Sequence, residues 1–507
     1  MRCEPAPEAF AAAYAEGRAQ VVWTRLVDDL ETPVSAFLKI GLGRPNSFLF
    51  ESVEGGAWRG RYSIIALSPD LVWRARGEAA EVARGEAAIA GDAYVAESKP
   101  TLDSLRALVE ASRIDLPADL PPMAAGLFGV LGYDVIRLAE PLGPANPDPL
   151  DLPDAVLMRP QVVAIFDGVA QEIVLVTPVR PSSLSADTAR AQAEARLGAV
   201  AADLRRPPPP LGQPEPPTTE RPAPVSPIDR AAYGAMVEAA KRYIAAGDIF
   251  QVVPSHRFSG AYDGDPLAFY RALRRVNPSP FLYFLDFGGF QLAGSSPEIL
   301  VRYRDGKVTI RPIAGTRRRG ADPAEDAALE AELLADQKER AEHLMLLDLG
   351  RNDVGRAIGL GREGDNRPGE VRVTQAFGVE RYSHVMHIVS NVEGEATRPL
   401  DPVDVILTAL PAGTLSGAPK VRAMQIIDEL ESVKRGLGYG GAAGYIGAGG
   451  DVDTCIVLRT ALFKDGAMHV QSGGGVVADS DPDAEYEETL HKARALSRAA
   501  QEAWRFE

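Results

Sequence analysis

Short runs rich in Val, Ile, Phe and Tyr, broken by turn-forming residues, set the expected secondary structure of this chain. Strands are expected at 21–27, 48–53 and 61–67, with a turn at Glu54-Gly55-Gly56. A helix is expected at 102–112, with the Gly-rich apolar segment 126–133 packed against it. An Ala/Arg-rich helix follows at 187–204, with Asp187 as N-cap. Residues 1–20 read as a loosely attached start. Beyond 227 the pattern predicts a helix through Ile244, ended by Gly247, then strands at 248–255, 282–287, 291–294, 299–303 and 308–310. A helix is expected in the first half of 336–353, before Gly350, with Leu344 and Leu347 turned to a core. A strand at 382–392 and helices at 403–409 and 419–430 come next. Strands at 442–447, 454–462 and 468–477 end the sheet, and a long helix over 482–504 starts at Asp479, Ser480, Asp481 and Pro482. Strands mixed with helices, without regular βαβ repetition, make this an α+β chain.

Residues 205–227 change the picture. Their prolines exclude a helix or a central strand and favour an extended, semi-rigid connector. It divides the chain into a 1–204 domain and a 228–507 domain. At 507 residues, 46% hydrophobic and 24% charged, the chain has the composition of an ordinary globular protein. Its net charge of −16 argues against nucleic acid or an anionic membrane surface as partner, while leaving room for a local positive pocket. Cys3 and Cys455 supply neither a disulfide framework nor a Cys-rich metal site, and the start of the chain has no apolar leader, so a cytoplasmic location is expected.

Two Glu-x-x-Glu pairs, Glu339/Glu342 and Glu485/Glu488, each share one helix face. Together they could close on a hard divalent cation, for which Mg²⁺ is the natural choice; as solvated faces they would need no ligand. The Gly413–Lys420 and Gly473–Gly475 turns can offer backbone N–H groups to carboxylate oxygens, or can be tight turns and no more. Arg459, between apolar neighbours, calls for a carboxylate, from the protein or from a ligand. His387 in an apolar strand is a core residue or a catalyst, and Glu298 is a general acid if it lines the same pocket. No Gly-x-Ser-x-Gly elbow, His-Glu-x-x-His, Walker A loop or Gly-x-Cys-x-Gly turn is present.

Taken in order, Gly247–Val252, Ser296-Pro297-Glu298, Arg311–Thr316, Glu339–Asp353, Val385-Met386-His387, Gly413–Lys420 and Gln471–Val477 with Glu485/Glu488 resemble the catalytic domain of the chorismate-utilising enzymes. Within that family the pattern is most similar to the anthranilate synthase component I branch. Leu49–Gly56 and Gly60–Ser63 extend the likeness to the amino-terminal domain. The resemblance implies an α/β/β/α sandwich of largely antiparallel sheets. It implies Mg²⁺ held by Glu342 and Glu488, with Glu339 and Glu485 close behind. Gly315, Thr414, Tyr439, Arg459, Gly473, Gly475 and Lys492 would position the carboxylates of chorismate, with Thr316 orienting the ring. Glu298 would protonate the departing hydroxyl while ammonia adds, and His387 would assist pyruvate elimination. The resemblance also implies a separate glutamine amidotransferase subunit as ammonia source. Tryptophan would act as inhibitor at Glu51, Ser52 and the segment Asn277, Pro278, Ser279, Pro280, Phe281.

Ala314 stands where aminodeoxychorismate synthases of the family carry a nucleophilic Lys, and Gln251 where isochorismate synthases carry a Lys that activates water. Both favour direct addition of ammonia. The alternatives are aminodeoxychorismate synthesis, disfavoured by Ala314, a catalytically silent metabolite-binding subunit, and a Mg²⁺-dependent nucleotide regulator. The last lacks a phosphate loop. Phe50, where many members have Leu, and the long Pro-rich connector are departures from the family pattern.

Overall fold

Period-two alternation along the strands builds the architecture. In the strand Tyr62–Arg76, Ile64 and Ala66 enter one core while Ile65 and Leu67 enter another. Its antiparallel partner Ala155–Asp167 does the same, with Val163 and Ile165 on the first side and Val162, Ala164 and Phe166 on the second. The first core lies between sheets: Phe48, Phe128, Tyr283, Leu292 and Tyr445, all from strands, meet there. The second is roofed by the helices Pro33–Ile40, Ala186–Leu204, Pro266–Val276 and Pro482–Glu502. A register shift between Pro69 and Leu71 re-aims the outer face of the long strand. Leu71, Trp73 and Ala75 then join a third core, under the helices Thr101–Ala111 and Pro402–Ala409. The layers are therefore helix, sheet, sheet, helix, the expected sandwich of an α+β chain.

The computed structural model describes residues 1–52, 60–210, 212, 221–359, 369–382 and 385–507. Every described strand pair is antiparallel. Ser47–Glu51 pairs with Phe281–Asp286, and Gly126–Leu131 with Ala442–Gly447, so strands from either side of the Pro-rich stretch share sheets. Gly129 is required where its strand also pairs with Ala155–Asp167: its φ is +152°, and a Cβ there would lie 2.1 Å from the Val156 carbonyl oxygen. Arg221, Pro-flanked, is tied to Asp263 at 3.2 Å and Glu507 at 2.7 Å, and Val225 bridges Ser259.

Several expectations are corrected. Residues 1–20 are not loose: the helix Pro7–Ala15 buries Phe10 and Tyr14, and Arg190 donates to the Pro5 carbonyl at 2.6 Å. The N-cap of the helix Ala186–Leu204 is Ser185, whose hydroxyl accepts from the Thr188 amide, not Asp187. The segment 126–133 is a central strand followed by a 3-10 turn, with helix Thr101–Ala111 over the same core. The strand expected at 248–255 shrinks to Gln251–Val252, with a new strand at Ser255–Ala261. The 468–477 strand stops at Gly473. The Glu54-Gly55-Gly56 turn, Val53 and connector residues 211 and 213–220 lie outside the described residues.

Candidate active site

The helix Gln337–Ala357 starts at Asp336, whose carboxylate accepts the amides of Lys338 and Glu339. It runs through Gly350 rather than ending there, because Gly350 lets it approach Pro312: a Cβ would sit 3.2 Å from the Pro312 ring. Leu347 is buried, but Leu344 is 56% exposed and contributes no core. The helix brings Glu339 and Glu342 under the strand Ile313–Arg318, and the helix Pro482–Glu502 brings Glu485 and Glu488 from the other side. Burial raises the Glu342 carboxyl above its ordinary value, and the charges of Glu339 and Glu488 raise it further. Glu485 is raised by burial and by Glu488, against the Ser480 hydroxyl that donates to Oε1 at 2.7 Å. The two pairs do face each other.

They are not assembled for ligation as they stand. Among the described residues no three acidic, His or Cys side chains are close enough to hold a metal. Glu488 is engaged by Lys492 at 2.7 Å and Glu339 by Arg317 at 3.1 Å. Yet the donor set suits a hard cation: all ligands are oxygens, they repel one another, and Glu485 Oε2 is buried without a hydrogen-bond partner.

Glu298, behind Ser296-Pro297, is buried at the start of the strand Ile299–Arg304. Desolvation pushes its carboxyl up to about 8, against the Thr414 hydroxyl, the Ile313 amide and the Arg459 charge. Thr414 Oγ1 donates to Oε2 at 3.2 Å. At neutral pH Glu298 therefore carries its proton, the state a general acid requires. Arg459 is not in a strand. The expected 454–462 strand breaks into Val452–Ile456 and Thr460–Lys464, with Arg459 between them at φ +47°. Burial lowers its basicity, and no described side chain hydrogen-bonds its guanidinium, so it remains a cation in need of an anion.

His387 lies on the strand Val385–Glu395, beside a bulge of the Ile313–Arg318 strand at Gly315, where φ is +73°. The bulge turns the Gly315 carbonyl to His387 Nδ1 at 3.1 Å, with Thr316 Oγ1 at 3.0 Å. A carbonyl only accepts, so Nδ1 carries the proton and Nε2 keeps its lone pair. Burial and Arg459 lower the pKa of the ring, which favours the neutral base. The charge of Arg459 acts on both Glu298 and His387, which places the three around one space.

The remaining wall is backbone. Gly473 faces Tyr439: a Cβ there would lie 3.1 Å from the Tyr439 hydroxyl, and the Gly473 amide hydrogen-bonds that oxygen. Gly475 packs on Gln251, whose Oε1 is buried and unpartnered. The Gly413–Lys420 turn is anchored by two residues that sequence reasoning did not assign. Lys420 Nζ donates to both Asp353 oxygens, at 2.8 and 2.9 Å, and thereby holds the loop that carries Thr414. Lys420 at the end of the turn and Asp353 at the end of the 336–353 stretch were the available signals. A small cleft lined by Glu298, Pro312, Leu346, Gly413 and Thr414 opens here. A cavity of about 520 Å³ lies elsewhere, but its cations are committed, Arg76 to Asp151, Arg137 to Asp134 and Asp428, and Lys434 to Asp154. Glu298, the raised acid, lines the smaller cleft.

A second cluster forms where Glu51 pairs with Leu282. Glu51 accepts from Tyr270 at 2.5 Å and from Arg274 at 2.9 Å. Asn277 ends the Pro266–Val276 helix and donates to Ser295 Oγ at 3.1 Å, leading through Pro278, buried Ser279 and Pro280 to Phe281. Ser52 accepts from the Gly60 amide. Glu51 and the 277–281 segment thus lie on neighbouring elements, Glu51 beside the strand that Phe281 opens.

Comparisons with known proteins bear on the family and the fold. The chorismate binding enzyme family matches residues 49–498. Anthranilate synthase component 1 of Cereibacter sphaeroides is 56% identical over 503 residues, 98% of each chain. That of Aquifex aeolicus is 41% identical over 94% of each. The crystal structure of anthranilate synthase component I from Streptococcus pneumoniae superimposes with a TM-score of 0.74 at 35% identity, covering 93% of this chain and 99% of that one. With its match over most of its length and these near-full-length relatives, the chain belongs to the chorismate binding enzymes.

Proposed function

We propose that this chain is the chorismate-converting subunit of an anthranilate synthase, turning chorismate and ammonia into anthranilate, pyruvate and water. The carrying observation is a buried glutamate that keeps its proton and a histidine with a fixed free Nε2, set around an arginine whose guanidinium no described side chain hydrogen-bonds. Arg459, Lys492 and the Gly473–Gly475 turn bind the carboxylates of the substrate, with Tyr439 and Gly315 shaping the wall. Glu298 passes its proton to the departing ring hydroxyl, and Thr414, donating to Oε2, steadies the carboxylate that results. His387 Nε2 takes the proton from the ring carbon that has gained nitrogen, as pyruvate leaves and the ring becomes aromatic. Thr316 and the Gly315 carbonyl hold the imidazole in register for that transfer.

Mg²⁺, held by Glu342 and Glu488 with Glu339 and Glu485 behind, would neutralise and orient the ring carboxylate. Ammonia would come from a glutamine amidotransferase subunit, and tryptophan bound at the Glu51 cluster would inhibit. None of the described helices is long and apolar enough to cross a membrane. The test incubates the chain with chorismate, Mg²⁺ and ammonium salt. Wild type should release anthranilate and pyruvate, and His387→Ala should instead accumulate an amino-substituted ring that still carries the enolpyruvyl group. Undiminished anthranilate from the variant would remove His387 from this role.

A further inference from the structure

Four carboxylates converge from two helices, and one ammonium is bonded among them. Lys492 Nζ pairs with Glu488 Oε1 at 2.7 Å and donates to the Gly473 carbonyl at 3.0 Å. Its charge, with that of Lys338, also counters the repulsion that raises Glu342 and Glu485. Among the described residues, Lys492 alone of the two is bonded there, to Glu488 and, at the same time, to the glycine turn of the substrate wall. The compensation is incomplete, since Glu485 Oε2 stays buried without a partner. The Glu488–Lys492 pair is also half-exposed and spans one helical turn, a geometry that contributes little and is readily exchanged.

We propose that Lys492 is the resident counter-ion of the carboxylate cluster, displaced from Glu488 when a divalent cation enters and thereby released to an anionic substrate. The proposal rests on the metal reading given above. The exchange follows from charge. A divalent ion placed among these acids compensates more of their repulsion than a monovalent ammonium, and the two cations repel each other if both remain. The freed Nζ keeps its bond to the Gly473 carbonyl, beside Tyr439, where a carboxylate of the substrate would lie. Metal and anion are then coupled through one side chain: the metal frees the cation that the anion uses.

Removing any nearby positive charge strengthens cation binding, so the test needs a control. Lys338 acts electrostatically on the same Glu342 and Glu485, yet forms no ion pair with the cluster among the described residues. Mg²⁺ is titrated calorimetrically into the full chain without chorismate, for wild type, Lys492→Met and Lys338→Met, with melting curves to confirm folding. Lys492→Met should bind Mg²⁺ about three- to tenfold more tightly than wild type, and Lys338→Met within about twofold. Repeating the titration with chorismate present should show a smaller enhancement of Mg²⁺ affinity in Lys492→Met than in wild type. Equal or weaker Mg²⁺ binding by Lys492→Met, or an equal gain in Lys338→Met, would overturn the exchange while leaving the metal site in place. No Mg²⁺ binding by any of the three would overturn the metal reading and the exchange with it.

Discussion

Glu51 and Glu298 are both buried, and they are built for opposite purposes. Glu51 has a donor for each oxygen, the Tyr270 hydroxyl on one and the Arg274 guanidinium on the other. Glu298 has the Thr414 hydroxyl, the Ile313 amide and a cation that influences it without bonding, and desolvation prevails. A satisfied carboxylate is an anchor on which a rigid pocket can be arranged. A desolvated one holds its proton and can deliver it. Burial alone does not distinguish them; the count and charge of the donors do.

The strongest challenge to this contrast is Glu298→Gln, which keeps the shape and removes the proton. It should lower kcat by roughly 10²–10⁴-fold, measured as anthranilate formed at saturating chorismate. A variant retaining a tenth of wild-type kcat would show that Glu298 is not the acid.

Next comes the pH dependence of stability. The carboxyl of Glu298 lies at about 8 in the folded chain against 4.5 for the free group, so between those values the folded state binds the extra proton. Stability from this residue is fully present below pH 4.5 and is lost as pH rises through 8. Glu298→Gln should therefore gain on wild type by about 2–4 kcal/mol between pH 5 and pH 9 in denaturant titrations. A constant difference across that range would mean that Glu298 is ionised throughout. The smallest effect is expected at the anchor. Glu51→Gln should cost about 1–3 kcal/mol of stability, through the loss of a charged acceptor for Arg274, and should raise the tryptophan concentration needed for half-inhibition. Unaltered stability would show that the Tyr270 and Arg274 bonds are not carried by the charge of Glu51.

Much of this was legible in the chain, because spacing is local. Glu339/Glu342 and Glu485/Glu488 share helix faces by periodicity, and the strands around Phe48, Tyr283 and Tyr445 announce themselves by composition. What escaped depends on distant neighbours. Arg459 reads as part of a strand until its left-handed backbone is seen, and that conformation is imposed by two flanking strands with different partners. The proton on Glu298 requires knowing what excludes water from it. The tautomer of His387 requires the Gly315 bulge, and the double engagement of Lys492 requires Gly473, at the end of a strand, to lie beside its helix. Residues 1–20 looked loose because their anchor, the helix Ala186–Leu204, is remote in sequence.

The sharing of sheets across the Pro-rich stretch has a further consequence, for synthesis. Gly126–Leu131 waits for Ala442–Gly447, and Ser47–Glu51 waits for Phe281–Asp286, before either gains its second neighbour. At ordinary translation rates of about 5–20 residues per second, the earlier strand of the wider pair stands without that neighbour for roughly 15–60 s. Such a bare apolar edge invites pairing with other chains. The architecture that sets the carboxylates of two helices against one another thus makes the nascent chain dependent on protection until all but about its last 60 residues have emerged.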